Sequence, residues 1–218
     1  MEDLTVSYNS ATISDDPIDS SALPVMEEFF SIQGEGHHTG IPASFIRLAG
    51  CDVGCVWCDV KESWEMEAYP RRPVKDILNT VMNDSSGTVI ITGGEPALHD
   101  LSKLTGSLRN SGIKIHLETS GTRELKGQFD WITVSPKKFK APLDQVLKAA
   151  DELKIVVYNR TDLAWALSFL SKLKQDCLLY LQPEYSRRDK MTPLILDFID
   201  KNPEWKISIQ THKTLGVK

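Results

Sequence analysis

Cys51, Cys55 and Cys58 fall within eight residues as C-x₃-C-x₂-C, while the remaining cysteine of the chain, Cys177, lies far away. Thiolates this close on a loop can wrap around one metal centre. Cubane iron–sulfur clusters are held by such thiolates and normally take four of them. The local set supplies three, which leaves one iron with an open coordination position where chemistry can happen. Two other readings of the spacing stay open: a zinc site completed by a histidine, and a disulfide with a spare thiol. Tetrahedral zinc sites usually come as two cysteine pairs, and no second pair exists here. Ligand preference therefore favours the cluster. Cys177 reads as a small buried hydrophobe.

Further polar residues recur at the ends of apolar runs. The run Thr88–Thr92 leads into Gly93, Gly94, Glu95 and Pro96. Paired glycines let a backbone approach a ligand with its N–H groups free, and Glu95 can accept from an ammonium group. The run ending at Glu118 leads into Thr119, Ser120, Gly121 and Thr122, whose carboxylate and hydroxyls suit a ribose or an amino-acid moiety. Ser135, Pro136 and Lys137 end another run, and Gln182, Pro183 and Glu184 a fourth. One such end is an ordinary turn, but four at equivalent positions belong on one rim. Arg47 is a charge on an apolar segment. A buried arginine needs a partner, either a ligand carboxylate matching its fork or one of Glu27, Glu28 and Glu35. Ile32, Gln33 and Gly34 upstream, and Gln210 to Lys213 near the end, flank the set.

Positioning these groups requires a sheet. Ser44–Leu48, Thr88–Thr92, Ile113–Glu118, Trp131–Val134, Leu153–Val157, Leu178–Gln182 and Lys206–Gln210 read as strands, several buried on both faces. Between them, Val74, Ile77, Leu78, Val81 and Met82 recur at helical spacing, as do Leu101, Leu104 and Leu108, and Leu163, Ala166, Leu167 and Leu170. Thr192 and Pro193 read as an N-cap and first helical residue, opening a helix over 194–201. The alternation predicts an α/β fold, an open partial barrel of about six βα units with a mostly parallel sheet, helices outside and functional loops after the strand C-termini.

With 218 residues, the chain has room for one domain with a sizeable core. Residues 1–24, acidic and Ser-rich, read as a disordered or loosely attached extension and not as a signal peptide, leaving 25–218 as a single domain. The net charge of −5 argues against broad nucleic-acid binding. No apolar run is long enough to span a bilayer, and the need for reduced thiolates points to the cytoplasm.

Together these residues resemble the radical S-adenosylmethionine superfamily, whose signature is C-x₃-C-x₂-C followed by a G-G-E strand end. The likeness to one branch is closer. It runs in order through Ser31–Gly36, Phe45–Cys51, Cys55–Asp59, Thr92–Pro96, Glu118–Thr122, Ser135–Lys137, Leu181–Pro183 and Gln210–Lys213. That series is similar to the 7-carboxy-7-deazaguanine synthase family of queuosine and deazapurine biosynthesis, from about Glu27 to the end of the chain.

The resemblance implies a carbon–nitrogen lyase with a 4Fe–4S cluster on Cys51, Cys55 and Cys58 and S-adenosylmethionine on the open iron. Reductive cleavage of the sulfonium would give a 5′-deoxyadenosyl radical. That radical would start the ring contraction of 6-carboxy-5,6,7,8-tetrahydropterin to 7-carboxy-7-deazaguanine, with loss of ammonia and regeneration of S-adenosylmethionine. It implies that Trp57, Asp59, Gly94, Glu118, Ser120, Ser135, Pro136, Lys137 and Gln182 lie along S-adenosylmethionine. Ile32, Gln33, Gly34, Arg47, Thr92, His212 and the terminal Lys218 would contact the pterin. An electron donor such as a flavodoxin or ferredoxin and a homodimer are further implications, with no nucleic-acid or membrane partner. One departure stands out: the family's hydroxyl two positions after the third cysteine, which helps hold Mg²⁺, is here Val60. Bound Mg²⁺ and its replacement by a basic side chain both stay open. The same superfamily also contains glycyl-radical activases, and a zinc-binding interaction module is the non-enzymatic alternative.

Overall fold

The computed structural model describes residues 21–218; the expected N-terminal extension lies outside the described residues up to position 20. Nine strands form one sheet in the order β3-β1-β2-β4-β5-β6-β7-β8-β9. They are β1 (Ala22–Ile32), β2 (Pro42–Leu48), β3 (Arg71–Pro73), β4 (Thr88–Gly93), β5 (Lys114–Thr119), β6 (Trp131–Val134), β7 (Glu152–Val157), β8 (Leu178–Pro183) and β9 (Trp205–Ile207). From β2 onward every neighbouring pair is parallel, whereas β1 runs antiparallel to both β2 and β3. Helices α1 (Val74–Val81), α2 (Ser102–Asn110), α3 (Asp144–Ala149), α4 (Thr161–Leu167), α5 (Arg188–Lys201) and α6 (Thr211–Leu215) fill most of the connections. The sheet does not close: β3 and β9 are its two edges. This is the open, mostly parallel partial barrel that the alternation predicts.

Strand periodicity divides the sheet's two faces. Ile46 and Leu48 of β2, Val89 and Ile91 of β4, and Ile115 and Leu117 of β5 join Ile77, Val81, Leu104 and Leu108 of α1 and α2 in one apolar cluster. Leu153, Ile155 and Val157 of β7 with Leu179 and Leu181 of β8 join Val146, Leu163, Ala166 and Ile195 in a second. The intervening positions face inward and are mostly polar: Arg47, Thr92, Glu118, Lys154 and Gln182 all line the interior. The inner face is therefore buried and largely polar, with Ile90 a fully buried apolar exception, so several of these strands are buried on both faces as expected.

Of the boundaries that differ from the sequence reading, three stand out. β1 starts at Ala22, so residues 22–24 belong to the sheet and not to a loose extension. Helix α5 begins at Arg188, with Pro193 inside it, where a cap at Thr192 was expected. A preceding single turn at Tyr185–Arg187, capped by the Glu184 carboxylate, already starts the helix, and Pro193 removes its own N–H from the ladder without ending it. The last strand stops at Ile207 instead of Gln210, because Thr211 opens α6.

The β1–β2 connection plugs the interior from the N-terminal ends of the parallel strands. The His37 N–H donates to Glu152, the first residue of β7, at 2.9 Å. The Gly36 N–H donates to Ser208 Oγ at 2.9 Å. His37 stacks on Trp131, the first residue of β6, and His38 meets the same ring edge-on, with centroids 5.2 and 4.5 Å apart.

Candidate active site

Backbone contacts fix the cysteine loop from both sides. Gly50 N–H donates to the Ser63 carbonyl at 2.7 Å and Cys51 N–H to that of Trp64 at 3.3 Å, while Gly94 and Glu95 N–H donate to Leu48 and Gly50 at 2.9 and 2.8 Å. The buried His99 ring meets the Ala49 carbonyl at 2.8 Å through Nε2. A Cβ on Gly93 would sit 2.1 Å from the Leu48 carbonyl oxygen, and one on Gly94 would sit 2.3 Å from that of Gly50. The double glycine lets the end of β4 pass against the cysteine loop itself, a packing role that its sequence context did not reveal.

Cys51, Cys55 and Cys58 are free thiols, and all three open onto one cavity of about 280 Å³. Burial pushes the Cys51 thiol up and the Cys55 thiol to about 11. Thiolates at these positions would draw their stability from the charge of a bound metal centre. Among the described residues, no three histidine, cysteine, aspartate or glutamate side chains converge as one metal ion requires. Three free cysteines on one cavity, with a fourth position open, are the ligand set that a three-thiolate cubane would use.

The rim groups surround the same cavity. Trp57, Asp59, Gly94, Glu118, Ser120, Ser135, Lys137 and Gln182 line it, as do Ile32, Gln33, Gly34, Arg47, Thr92, His212 and Lys218. Pro136 is the exception: it is buried behind the rim and does not reach the cavity. Lys137 donates to Ser135 Oγ at 2.6 Å and lies over the Trp57 ring, 5.8 Å from its centroid; burial lowers its pKa. Gln182 Oε1 accepts from Ser208 Oγ at 2.7 Å. His212 packs so tightly on Gly34 that a Cβ there would lie 2.1 Å from His212 Nδ1, and burial lowers the pKa of its ring. Arg47 Nε donates to Glu27 at 2.7 Å, so one of its three protein-partner alternatives is realised while the residue still lines the cavity. Lys218 joins the same carboxylate through Nζ at 2.7 Å, and its carbonyl accepts from Ser31 at 2.6 Å, which ties the chain end to the cavity mouth.

Glu95 does not present itself to a ligand. Its carboxylate, 1% exposed, accepts from Ala97 N–H at 2.9 Å, Thr119 Oγ1 at 2.6 Å, Ser120 N–H at 2.7 Å and the Ser120 hydroxyl. It joins the rim after β4 to the rim after β5.

Charges concentrate on the cavity floor. Lys154 Nζ contacts Glu35 and Glu118, and Glu118 also accepts from Gln33 Nε2 at 2.8 Å. Burial would raise the Glu35 carboxyl, but the Lys154 ammonium overrides it and holds the group at about 2. Burial opposes the charge on Lys154 too, yet Glu118, Glu35 and Glu152 together keep its pKa raised. Glu152, buried among these groups, is pushed up to about 7 by desolvation, which Lys154 and the His37 N–H only partly offset. Burial, reinforced by His38, lowers His116 to about 4. Sequence reading missed Lys154 as a site residue, although a charge inside an apolar run is the signal that picked out Arg47.

The hydroxyl that would help hold Mg²⁺ is missing from this site. Val60 has no side-chain oxygen, and its carbonyl already accepts from Ser63 N–H at 3.1 Å and Oγ at 2.7 Å. The Asp59 carboxylate is neutralised by Lys213 at 2.9 Å. Only the second oxygen of Asp59 is left there for a hard, oxygen-seeking ion.

Residues 45–155 match the Radical SAM superfamily. The chain is 45% identical to a 7-carboxy-7-deazaguanine synthase of Flavobacterium psychrophilum, over 89% of this chain and 92% of that protein. It is 36% identical to one of Escherichia coli K12, over 89% of this chain and 98% of that protein. Its fold is similar to the crystal structure of QueE from Escherichia coli, with a TM-score of 0.79 and 34% identity, covering 92% of this chain and 100% of that one.

Proposed function

The chain belongs to the 7-carboxy-7-deazaguanine synthase family of radical S-adenosylmethionine enzymes, and from that premise we propose that it converts 6-carboxy-5,6,7,8-tetrahydropterin to 7-carboxy-7-deazaguanine and ammonia. The observation that carries the reading is the convergence of three free cysteines, four polar strand ends, His212 and Lys218 on one cavity. A 4Fe–4S cluster on Cys51, Cys55 and Cys58 with bound S-adenosylmethionine supplies the one-electron chemistry that generates a carbon radical.

The protein's own groups bind and orient. Trp57, Gly94, Glu118, Ser120, Ser135, Lys137 and Gln182 are assigned to S-adenosylmethionine; Asp59 joins them at the margin, already paired with Lys213. Ile32, Gln33, Gly34, Thr92 and His212 are assigned to the pterin. Arg47 uses Nε on Glu27, which leaves the remaining donors of its guanidinium fork for the pterin carboxylate. Phe29, Phe45 and Trp64 add apolar walls that exclude water. The reaction balances without net oxidation or reduction, since ammonia is the only other product, so no electron is consumed overall.

Mg²⁺ has no part in the proposal. It does include an external one-electron donor such as a flavodoxin or ferredoxin, and a homodimeric cytoplasmic enzyme feeding queuosine and related deazapurines. No helix among the described residues is long and apolar enough to cross a membrane.

The test is anaerobic turnover of reconstituted protein with S-adenosylmethionine, reductant and the pterin, with and without a chelator of divalent cations. Deazaguanine acid is expected at the same rate in both. Untouched substrate with a fully loaded cluster contradicts the assignment, and activity that returns only with Mg²⁺ contradicts the donor-set argument.

A further inference from the structure

Lys154 lies in the middle of β7, faces inward and has a side chain only 3% exposed. Its ammonium is 2.9 Å from Glu118 Oε2 and also meets Glu35 Oε2. The second oxygen of Glu118 accepts from Gln33 Nε2, and that of Glu35 from Gln210 Nε2, each at 2.8 Å. The two carboxylates come from distant elements, the β1–β2 connection and the end of β5, and both line the cavity.

Burying an ammonium with its counter-ions seldom improves on an apolar residue of similar size, so stability gives no reason for this charge. Geometry gives one. We propose that Lys154 is a positioning residue, its ammonium clamping Glu35 and Glu118 in the cavity floor so that their acceptor oxygens meet the bound ligands in fixed places. The inference rests on the functional reading above. In that reading Glu118 belongs to the S-adenosylmethionine side and hydrogen-bonds Gln33 on the pterin side, so one lysine sets the relative placement of both ligands. The aminopyrimidinone edge of a pterin is rich in N–H donors, which fixed carboxylate oxygens suit.

The test compares Lys154→Met and Lys154→Arg with wild type as reconstituted holoenzymes. Iron content, thermal melting, kcat and KM for each ligand, and 5′-deoxyadenosine released per product are measured. The inference expects K154M to keep its iron, to lose about 100-fold in kcat/KM as misplaced reactants do, and to release 5′-deoxyadenosine out of step with product. K154R, which restores the charge, should recover most of both. Equal kcat/KM and equal release per product in K154M and active wild type overturn the inference alone. A wild type that makes no product overturns the functional reading and this inference with it. Where K154M does not fold, the pair Glu35→Gln with Lys154→Met, which removes opposite charges together, replaces it: uncoupled release supports the clamp, and coupling as in wild type refutes it.

Discussion

At the scale of single residues, the groups that chemistry needs are held by others turned away from the ligand. Glu95 is the clearest case: four donors from three residues converge on its buried carboxylate. Glu95→Gln places an amide hydrogen against donors and leaves buried groups unpaired, so we expect a loss of about 3 kcal/mol in urea unfolding. Activity should fall as well, because Ser120 is released from its place. A stability within experimental error of wild type would show that the network is not what joins the two rims. Arg47, Gln33 and His212 all line the cavity; a charge in an apolar run picked out the first, since such a charge asks for a partner, and the family resemblance the other two. Reading the sequence misjudged Glu95 because spacing does not tell whether a carboxylate after a double glycine turns outward to a ligand or inward to the next strand end.

Among the elements, the β1–β2 connection does most to shape the floor. It is anchored by Glu152, whose carboxyl is raised from its ordinary 4.5 to about 7. A raised carboxyl contributes stability that is complete below its ordinary pKa and is lost as pH rises through about 7. Glu152→Gln stays neutral and keeps an oxygen for the His37 N–H. Relative to wild type, the variant should therefore gain about 3 kcal/mol on moving from about pH 4.5 to above pH 7. Thermal melts of both proteins across that range check it, and parallel pH profiles would contradict it. The parallel strands and three of the helices were legible because their apolar periods are unbroken. β1 was not, since Glu27 and Glu28 interrupt its pattern, and β3 has three residues with a proline among them. The six-residue α3 offers too little length for a period to declare itself.

For the molecule as a whole, an open sheet with apolar helices on its outer face leaves the inner face free to be polar, and that division makes room for a reactive interior. The cysteine loop closes one end of that interior and the β1–β2 connection the other, so the cavity is defined by the fold and not by any one motif. The claim on which everything depends is that this cavity runs a radical elimination in which S-adenosylmethionine is returned intact. The direct measurement supplies S-adenosylmethionine in amounts well below the pterin and counts product. The account predicts more 7-carboxy-7-deazaguanine than S-adenosylmethionine supplied; product capped at the amount of S-adenosylmethionine, or none at all, would contradict it.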